Sequence, residues 1–327
     1  MKSKLLLVLF FAVVIVYIVI MHNGGYKNIT NEIRFNPKLS NYGLFRGKMS
    51  LLEPAAGVEV LDISSPLFTD YAEKQRLIKL PKGKRMHAAG NGLPQFREGT
   101  IIAKTFYYSH TQNNKRRLIE TRLLILKNGL WNGATYQWNP SQQEAVLIDK
   151  GASVPISFTS EDGKSRSITY RIPSQQDCGS CHRAANQLIP IGPKTRNLNI
   201  DVIRDGKTEN QLVYLHEKGL LDYDKAGKFG EIPNYRNLSL PVAQRARAYF
   251  AMNCAHCHQP SGMAGRLSLD LAYETDYEHT GIKFNKQNIL ERIATMGEYH
   301  MPKMGTTIID DEGVALIKRY IKSLPAN

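Results

Sequence analysis

The hydrophobic pattern along the chain changes its period twice. It begins with an uninterrupted apolar run at residues 5–21, preceded by Lys2 and Lys4. That run is longer than a usual signal-peptide core and close to the minimum for a membrane-spanning helix. No A-x-A cleavage site follows, and no cysteine is there to carry a lipid. Residues 1–22 therefore predict an uncleaved membrane anchor, with a cleaved signal peptide as the alternative. Lysines on the short N-terminal side should stay cytoplasmic and send the body across, to the periplasmic or extracytoplasmic side. Residues 23–54 are polar, rich in Gly and Asn, and read as a tether.

Over residues 55–173 the apolar positions fall into short segments rich in β-branched and aromatic residues. These are "GTIIAKTFYYS", "IETRLLIL", "ATYQWN", "EAVLIDKG", "SVPISFT" and "RSITYRI", with Gly, Asn, Pro and Asp clustered between them. The pattern predicts an antiparallel sandwich or barrel of about 120 residues. Trp131 and Trp138 read as its core or edge aromatics. It contains no nucleophile–base pairing and no Gly-rich phosphate loop.

From Ser174 the period becomes helical. In "SLPVAQRARAYFAMNCAHCH", Ser239 is the expected N-cap and Pro241 lies in the first turn. Val242, Ala246, Tyr249 and Phe250 follow at helical spacing, with Arg245 and Arg247 expected outside. "NKQNILERIATMG" predicts a helix capped by Asn285 and stopped by Gly297. "DDEGVALIKRYIKSL" predicts a last helix with acids in its first turn and a stripe of Val314, Ile317, Ile321 and Leu324. The expected fold class is therefore multidomain β + α. A β-rich, sandwich-like domain (55–173) precedes a second region (174–238) and a mainly helical domain (239–327).

At 327 residues the chain is long enough for two or three cores. Its net charge of +14 would suggest nucleic acid in a cytoplasmic protein. For an exported body, no nucleic-acid partner is expected. The basic surface suits an acidic redox partner or anionic lipid headgroups, unless it is merely a solvated surface.

All four cysteines fall in two matching motifs, "CGSCH" with Cys178, Cys181 and His182, and "CAHCH" with Cys254, Cys257 and His258. Disulfides are possible after export, and two C-x-x-C pairs can build a zinc site. Zinc ribbons keep their halves much closer in sequence. Neither reading uses the histidine that ends each motif. Covalent haem does. Two cysteines three positions apart lie on one side of a helical turn, matching the two vinyl groups of a porphyrin, and the next residue offers its imidazole to the iron. Two covalently bound haem c groups are therefore expected. His256, between the cysteines of the second motif, reads as a solvent-facing spacer. For the first haem the distal ligand stays open: His216 in "NQLVYLHEKG", Met86, His87 and His110 are candidates, as is a five-coordinate iron.

Helix, C-x-x-C-H, loop, helix, "HMPKMG", helix: over residues 239–327 this order resembles the small class I cytochrome c fold. From residue 67 onward the chain resembles the bacterial exported dihaem c-type cytochromes of no assigned reaction. The likeness is carried by "LFTDYAEKQR", "GTIIAKTF", "ETRLL", "YQWN", "CGSCH", "IGPKTRNLN", "NQL", "RARAYF", "NCAHCH" and "MPKMG". It implies haem attachment by the four cysteines and proximal ligation by His182 and His258. By analogy with cytochrome c domains it also points to Met301 as a distal ligand. Pro302 presents that thioether, with His300 and Met304 as local competitors. A core methionine is the plainer alternative.

The leading expectation is a membrane-tethered carrier of single electrons rather than an enzyme. The alternative is a dihaem peroxidase-type enzyme with one open haem, although both tryptophans precede the first motif and leave no aromatic relay between the haem regions. A third reading gives the β domain a polysaccharide or partner protein to bind, served by the haems. Nothing in the pattern speaks to oligomeric state.

Overall fold

The computed structural model describes residues 33–111, 115–184, 187–224 and 228–325. The expected anchor at residues 5–21 and the start of the tether lie outside them. Among the described residues, no helix is long and apolar enough to cross a membrane.

Alternating β-branched and aromatic positions build nine strands before the first motif. They are β1 (Val58–Val60), β2 (Glu73–Lys79), β3 (Met86–Ala88), β4 (Ile101–Tyr108), β5 (Arg117–Lys127), β6 (Leu130–Trp138), β7 (Ala145–Ile148), β8 (Ala152–Thr159) and β9 (Ser165–Ile172). Six of them form one antiparallel sheet in the order β1-β2-β4-β5-β6-β7. β8 and β9 pair separately as a hairpin. The hairpin places Val154, Ile156, Phe158 and Tyr170 against Phe106, Tyr108 and Ile119, with Phe158 and Tyr108 ring centroids 4.4 Å apart. The N-terminal part is thus β-rich, but its second layer is this hairpin alone, so a full sandwich is not formed. Trp138 is buried and Trp131 packs edge-on to Phe96.

The segment read as a tether is packed from Phe35 onward. Leu39 and Leu44 are buried, Lys38 bridges Val146 on β7, and the Tyr42 and Tyr136 hydroxyls share a hydrogen bond of 2.9 Å. Its apolar residues follow neither helix nor strand spacing because it runs through two short 3-10 turns.

The second region is mixed rather than mainly helical. Helix α1 (Gln175–His182) is followed by the short pair β10 (Arg183–Ala184) and β11 (Gln187–Leu188), then α2 (Thr195–Leu198), β12 (Asp201–Arg204), β13 (Lys207–Asn210), α3 (Gln211–Glu217) and β14 (Leu221–Tyr223). Asp205 and Gly206, both at positive φ, form the two-residue turn between β12 and β13, a hairpin signal that the sequence carries as "DG". β14 pairs in parallel with β3, which ties this region into the β-rich part.

Three helices complete the chain: α4 (Val242–Asn253), α5 (Ile282–Ile293) and α6 (Asp311–Ser323). Their starts differ in detail from expectation. α4 begins after Pro241, and Ser239 instead bonds Asn237 in the preceding turn. α5 begins after Gly281, placing Asn285 inside it, and ends before Gly297. Arg245 and Arg247 turn inward. Arg245 donates to the Tyr235 carbonyl at 2.8 Å and Arg247 to the Ala272 carbonyl at 2.9 Å, so each guanidinium satisfies loop carbonyls that helical spacing alone could not reveal. The last helix is as expected, capped by Asp310 on the Gly313 amide at 2.9 Å.

Residues Phe35–Asn327 form one compact unit. α4 and α6 cross over a core of Ala246, Phe250, Leu316, Ile317 and Tyr320. At the crossing, a Cβ at Gly313 would collide with the Tyr249 ring, whose hydroxyl donates to Asp310 at 3.0 Å. Gly313→Ala therefore sets two effects against each other. Helix propensity favours Ala by about 1 kcal/mol, whereas overpacking costs about 1–3 kcal/mol. Overpacking should win: denaturant unfolding is expected to show net destabilisation, and a gain in stability would mean that the helices do not meet this closely.

Candidate functional site

Each motif is delivered by a differently built segment. α1 carries the first. Ser174 caps it through the Asp177 amide, and the Asp177 carboxylate accepts from the Ser174 amide in return, fixing where the helix begins. Cys178 and Cys181 then share a side of the helix. His182 Nδ1 lies 2.8 Å from the Ile189 carbonyl, which orients the ring and leaves Nε2 to act as a ligand. Burial pushes His182 down to about 4, so the imidazole is neutral at physiological pH.

The second motif comes just after α4 rather than within it. The amides of Cys254 and Ala255 both reach the Phe250 carbonyl, at 2.9 Å each, and those of Cys257 and His258 reach the Cys254 carbonyl, at 3.1 and 2.9 Å. These tight turns keep the segment coiled while redirecting its side chains. Burial pushes the Cys254 thiol up to about 12 and the Cys257 thiol up to about 11. Among the described residues all four cysteines are unbridged, and no three His, Cys, Asp or Glu converge as a bare-metal site.

Each motif opens on its own cavity. The first, about 1660 Å³ with its mouth included, is bounded by Cys178, Cys181 and His182 on one side and by Ile102, Lys104, Arg122 and Leu124 of the sheet on another. The second, about 1580 Å³ on the same measure, is bounded by Cys254, Cys257, His258, Ile289, Ile293 and Met301. Both figures include the open mouth; what suits each cavity to a prosthetic group is its lining, a cysteine pair and a histidine beside apolar side chains. The cavities adjoin. Cys181, His256, Pro302, Lys303 and Met304 border both, and Cys257 Sγ lies 3.8 Å from the Ser180 carbonyl.

The distal candidates separate clearly. Met301 borders the second cavity, and its amide is held by the Arg292 carbonyl at 3.0 Å. His300 is engaged at both ring nitrogens, by the Thr295 carbonyl at 2.9 Å and the Thr306 hydroxyl at 3.1 Å. For the first cavity, none of the four residues considered from sequence is on the wall. His216 bonds the Leu221 carbonyl at 3.0 Å and stacks on Tyr223. Met86 is fully buried in the core beneath α3, His87 lies on β3, and His110 lies beyond the end of β4. His256 is not a solvent-facing spacer. It borders both cavities, whereas His258 borders the second alone.

Sequence reasoning missed a row of cations on the sheet. Arg76, Lys104 and Arg122 sit directly opposite one another across β2, β4 and β5, and all three border the first cavity. Arg122 is answered by Glu120 at 2.9 Å. Arg76 keeps a buried Nη2 without a partner, and Lys104 forms no ion pair among the described residues. Burial, followed by the repulsion of Arg76 and Arg122, holds Lys104 well below the usual amine range. Adjacent like charges destabilise a sheet, and sheltered cations call for an anion. The two propionates of a haem would supply it. The signal was present as cations breaking the apolar alternation in "EKQRLIK", "IIAKTF" and "ETRLL".

Residues 241–321 match the family model for cytochrome c oxidase, cbb3-type, subunit III. This segment is a cytochrome c domain. It takes in α4, the second motif, α5 and nearly all of α6, and a cytochrome c domain implies covalently bound haem c and electron transfer. The first motif lies outside the match. No curated protein and no solved structure matches the chain.

The cation row gives a test with a change of sign. With all four cysteines replaced by Ser to keep haem off, Lys104→Met should stabilise the protein by up to about 1 kcal/mol by relieving repulsion. In the haem-loaded protein the same substitution should destabilise it, because an anion loses its partner. Thermal unfolding of the two forms decides the matter, and a shift of the same sign in both would mean that no anion answers the row.

Proposed function

We propose that the protein is a dihaem c-type cytochrome that passes single electrons between two adjoining haems and an extracytoplasmic partner. The observation that carries this reading is the pair of C-x-x-C-H motifs, each lining its own cavity, with the two cavities sharing a wall. Cys178 and Cys181 would hold one haem with His182 as its proximal ligand. Cys254 and Cys257 would hold the other, between His258 and Met301. Bound haem supplies a one-electron ferric/ferrous couple. The chain supplies its setting: Ile189 aims His182, and Arg76 and Lys104 would offer countercharge. A thioether opposite imidazole favours the ferrous state and raises the potential.

The location we infer rests on Lys2, Lys4 and the apolar run at residues 5–21. They favour an N-terminal membrane anchor with the body in the periplasm. The net charge of +14 favours an acidic redox partner there.

Two measurements test this reading. The denatured protein should keep its pyridine-haemochrome colour at two haems per chain, and Cys178→Ser with Cys181→Ser should halve it. Full retention of colour in that variant would overturn covalent attachment at the first motif. Met301→Ala should abolish a near-infrared sulfur-to-iron band and lower one of two midpoint potentials, whereas Met304→Ala should leave the band in place. The opposite result would move the ligand three residues downstream.

A further inference from the structure

We propose that His256 is the distal ligand of the haem held by Cys178 and Cys181. The segment that attaches the second haem would thereby also ligate the first. The inference rests on the dihaem reading above and adds to it a residue that neither motif predicts.

Three observations carry it. His256 borders the same cavity as Cys178, Cys181 and His182, and is drawn from a different part of the chain than they are. Its Nδ1 is buried with no hydrogen-bond partner. Buried imidazole nitrogens are rarely left so, because an unmade bond there costs the desolvation of the group. The contrast with His216 and His300 is direct, since their ring nitrogens are held by neighbouring carbonyl and hydroxyl oxygens. Finally, His256 stands between two attachment cysteines, in a turn where the amides of Cys254, Ala255, Cys257 and His258 are engaged, so the backbone on either side of it is held by the second site.

The other donors on that wall are less suited. Met252 is buried in the helical core, and its sulfur accepts from the Asn197 amide at 3.6 Å. Lys104 belongs to the cation row and lies over the Phe106 ring. Met304 borders both cavities, as His256 does, but offers a thioether on a flexible stem rather than an imidazole.

The assignment gives the arrangement a consequence for electron flow. A ligand of one iron would be the covalent neighbour of a thioether of the other haem, through the single peptide link between His256 and Cys257. The two sites would be joined through bonds as well as across the shared wall.

The test uses the full, haem-loaded chain. The two positions between the motif cysteines are free in C-x-x-C-H, so substituting His256 leaves the attachment sequence intact. In His256→Ala, the pyridine-haemochrome count should stay at two. The ferric EPR spectrum should convert one of the two haems from low-spin to high-spin, and added imidazole should return it to low-spin. In His256→Met, a second sulfur-to-iron near-infrared band should appear and one midpoint should rise. Two haems with unchanged spin states in His256→Ala would overturn the ligand assignment alone. So would loss of the low-spin signal in Met304→Leu or Lys104→Met with His256 intact. A wild-type count of one haem would overturn the dihaem reading and this inference together.

Discussion

The approach of the two motifs to each other governs the rest of the structure. Cys257 Sγ reaches within 3.8 Å of the Ser180 carbonyl, although the two lie in segments built by unrelated means. One is a capped helix lying on the sheet, and the other is a turn leaving α4. Holding them together takes a set of bonds that cross from the β-rich part to the helices. Phe68 donates to Asn253, at the end of α4, at 2.7 Å. Ser65 donates to Asn197 at 3.0 Å, and Tyr71 donates to Glu312 of α6 at 2.7 Å. Each such bond contributes only about 1 kcal/mol net, but together they fix the position of one motif relative to the other.

That rigidity is combined with a local electrostatic cost. A sheet surface with Arg76, Lys104 and Arg122 abreast is a poor design for a cofactor-free protein, since one buried carboxylate, Glu120, answers only the last of them. It is a reasonable design for a wall facing a dianionic porphyrin edge. Strain of this kind makes cofactor binding and folding interdependent, because whatever binds only the folded state also stabilises it. The β-rich part is thereby more than an appendage to the cytochrome c domain: it forms one side of the first cavity.

What could be read in advance follows the reach of each signal. Strands β4 to β9 were legible because alternation over four to eleven residues is set by which face each strand buries, and the last helix because its acids, stripe and basic end agree. The two C-x-x-C-H motifs stand out in the sequence because haem attachment would require that spacing, and the structure sets each of them beside a cavity. The starts of α4 and α5 were not. Pro241 and Gly281 begin these helices without any side-chain cap, so Ser239 and Asn285 offered false ones. His256 was misread for a related reason. A position between two cysteines has no periodic partner, and its direction depends on the turn that follows α4. The buried Arg245 and half-buried Arg247 belong to the same class, since their partners are carbonyls of distant loops.

The "FTDY" stretch shows how far such non-local design extends. Asp70 and Tyr71 both adopt left-handed backbone conformations, with φ of 50° and 61°, which non-glycine residues adopt at a cost. In that kinked geometry the Asp70 carboxylate accepts from the Thr307 amide at 2.7 Å and from its hydroxyl at 2.8 Å. Tyr71, pointing the other way, reaches the first turn of α6. The loop carrying Met301 and Met304 runs between α5 and α6. It is therefore fastened at its far end by a residue of the β-rich part, and at its near end by the Arg292 carbonyl on the Met301 amide. A methionine sulfur is a weak ligand on a flexible stem, so the distal role proposed for Met301 would depend on a backbone that cannot drift. The strained pair at residues 70 and 71 supplies part of that constraint through Thr307, and Leu67, Phe68 and Thr69, just before the kink, line the first cavity.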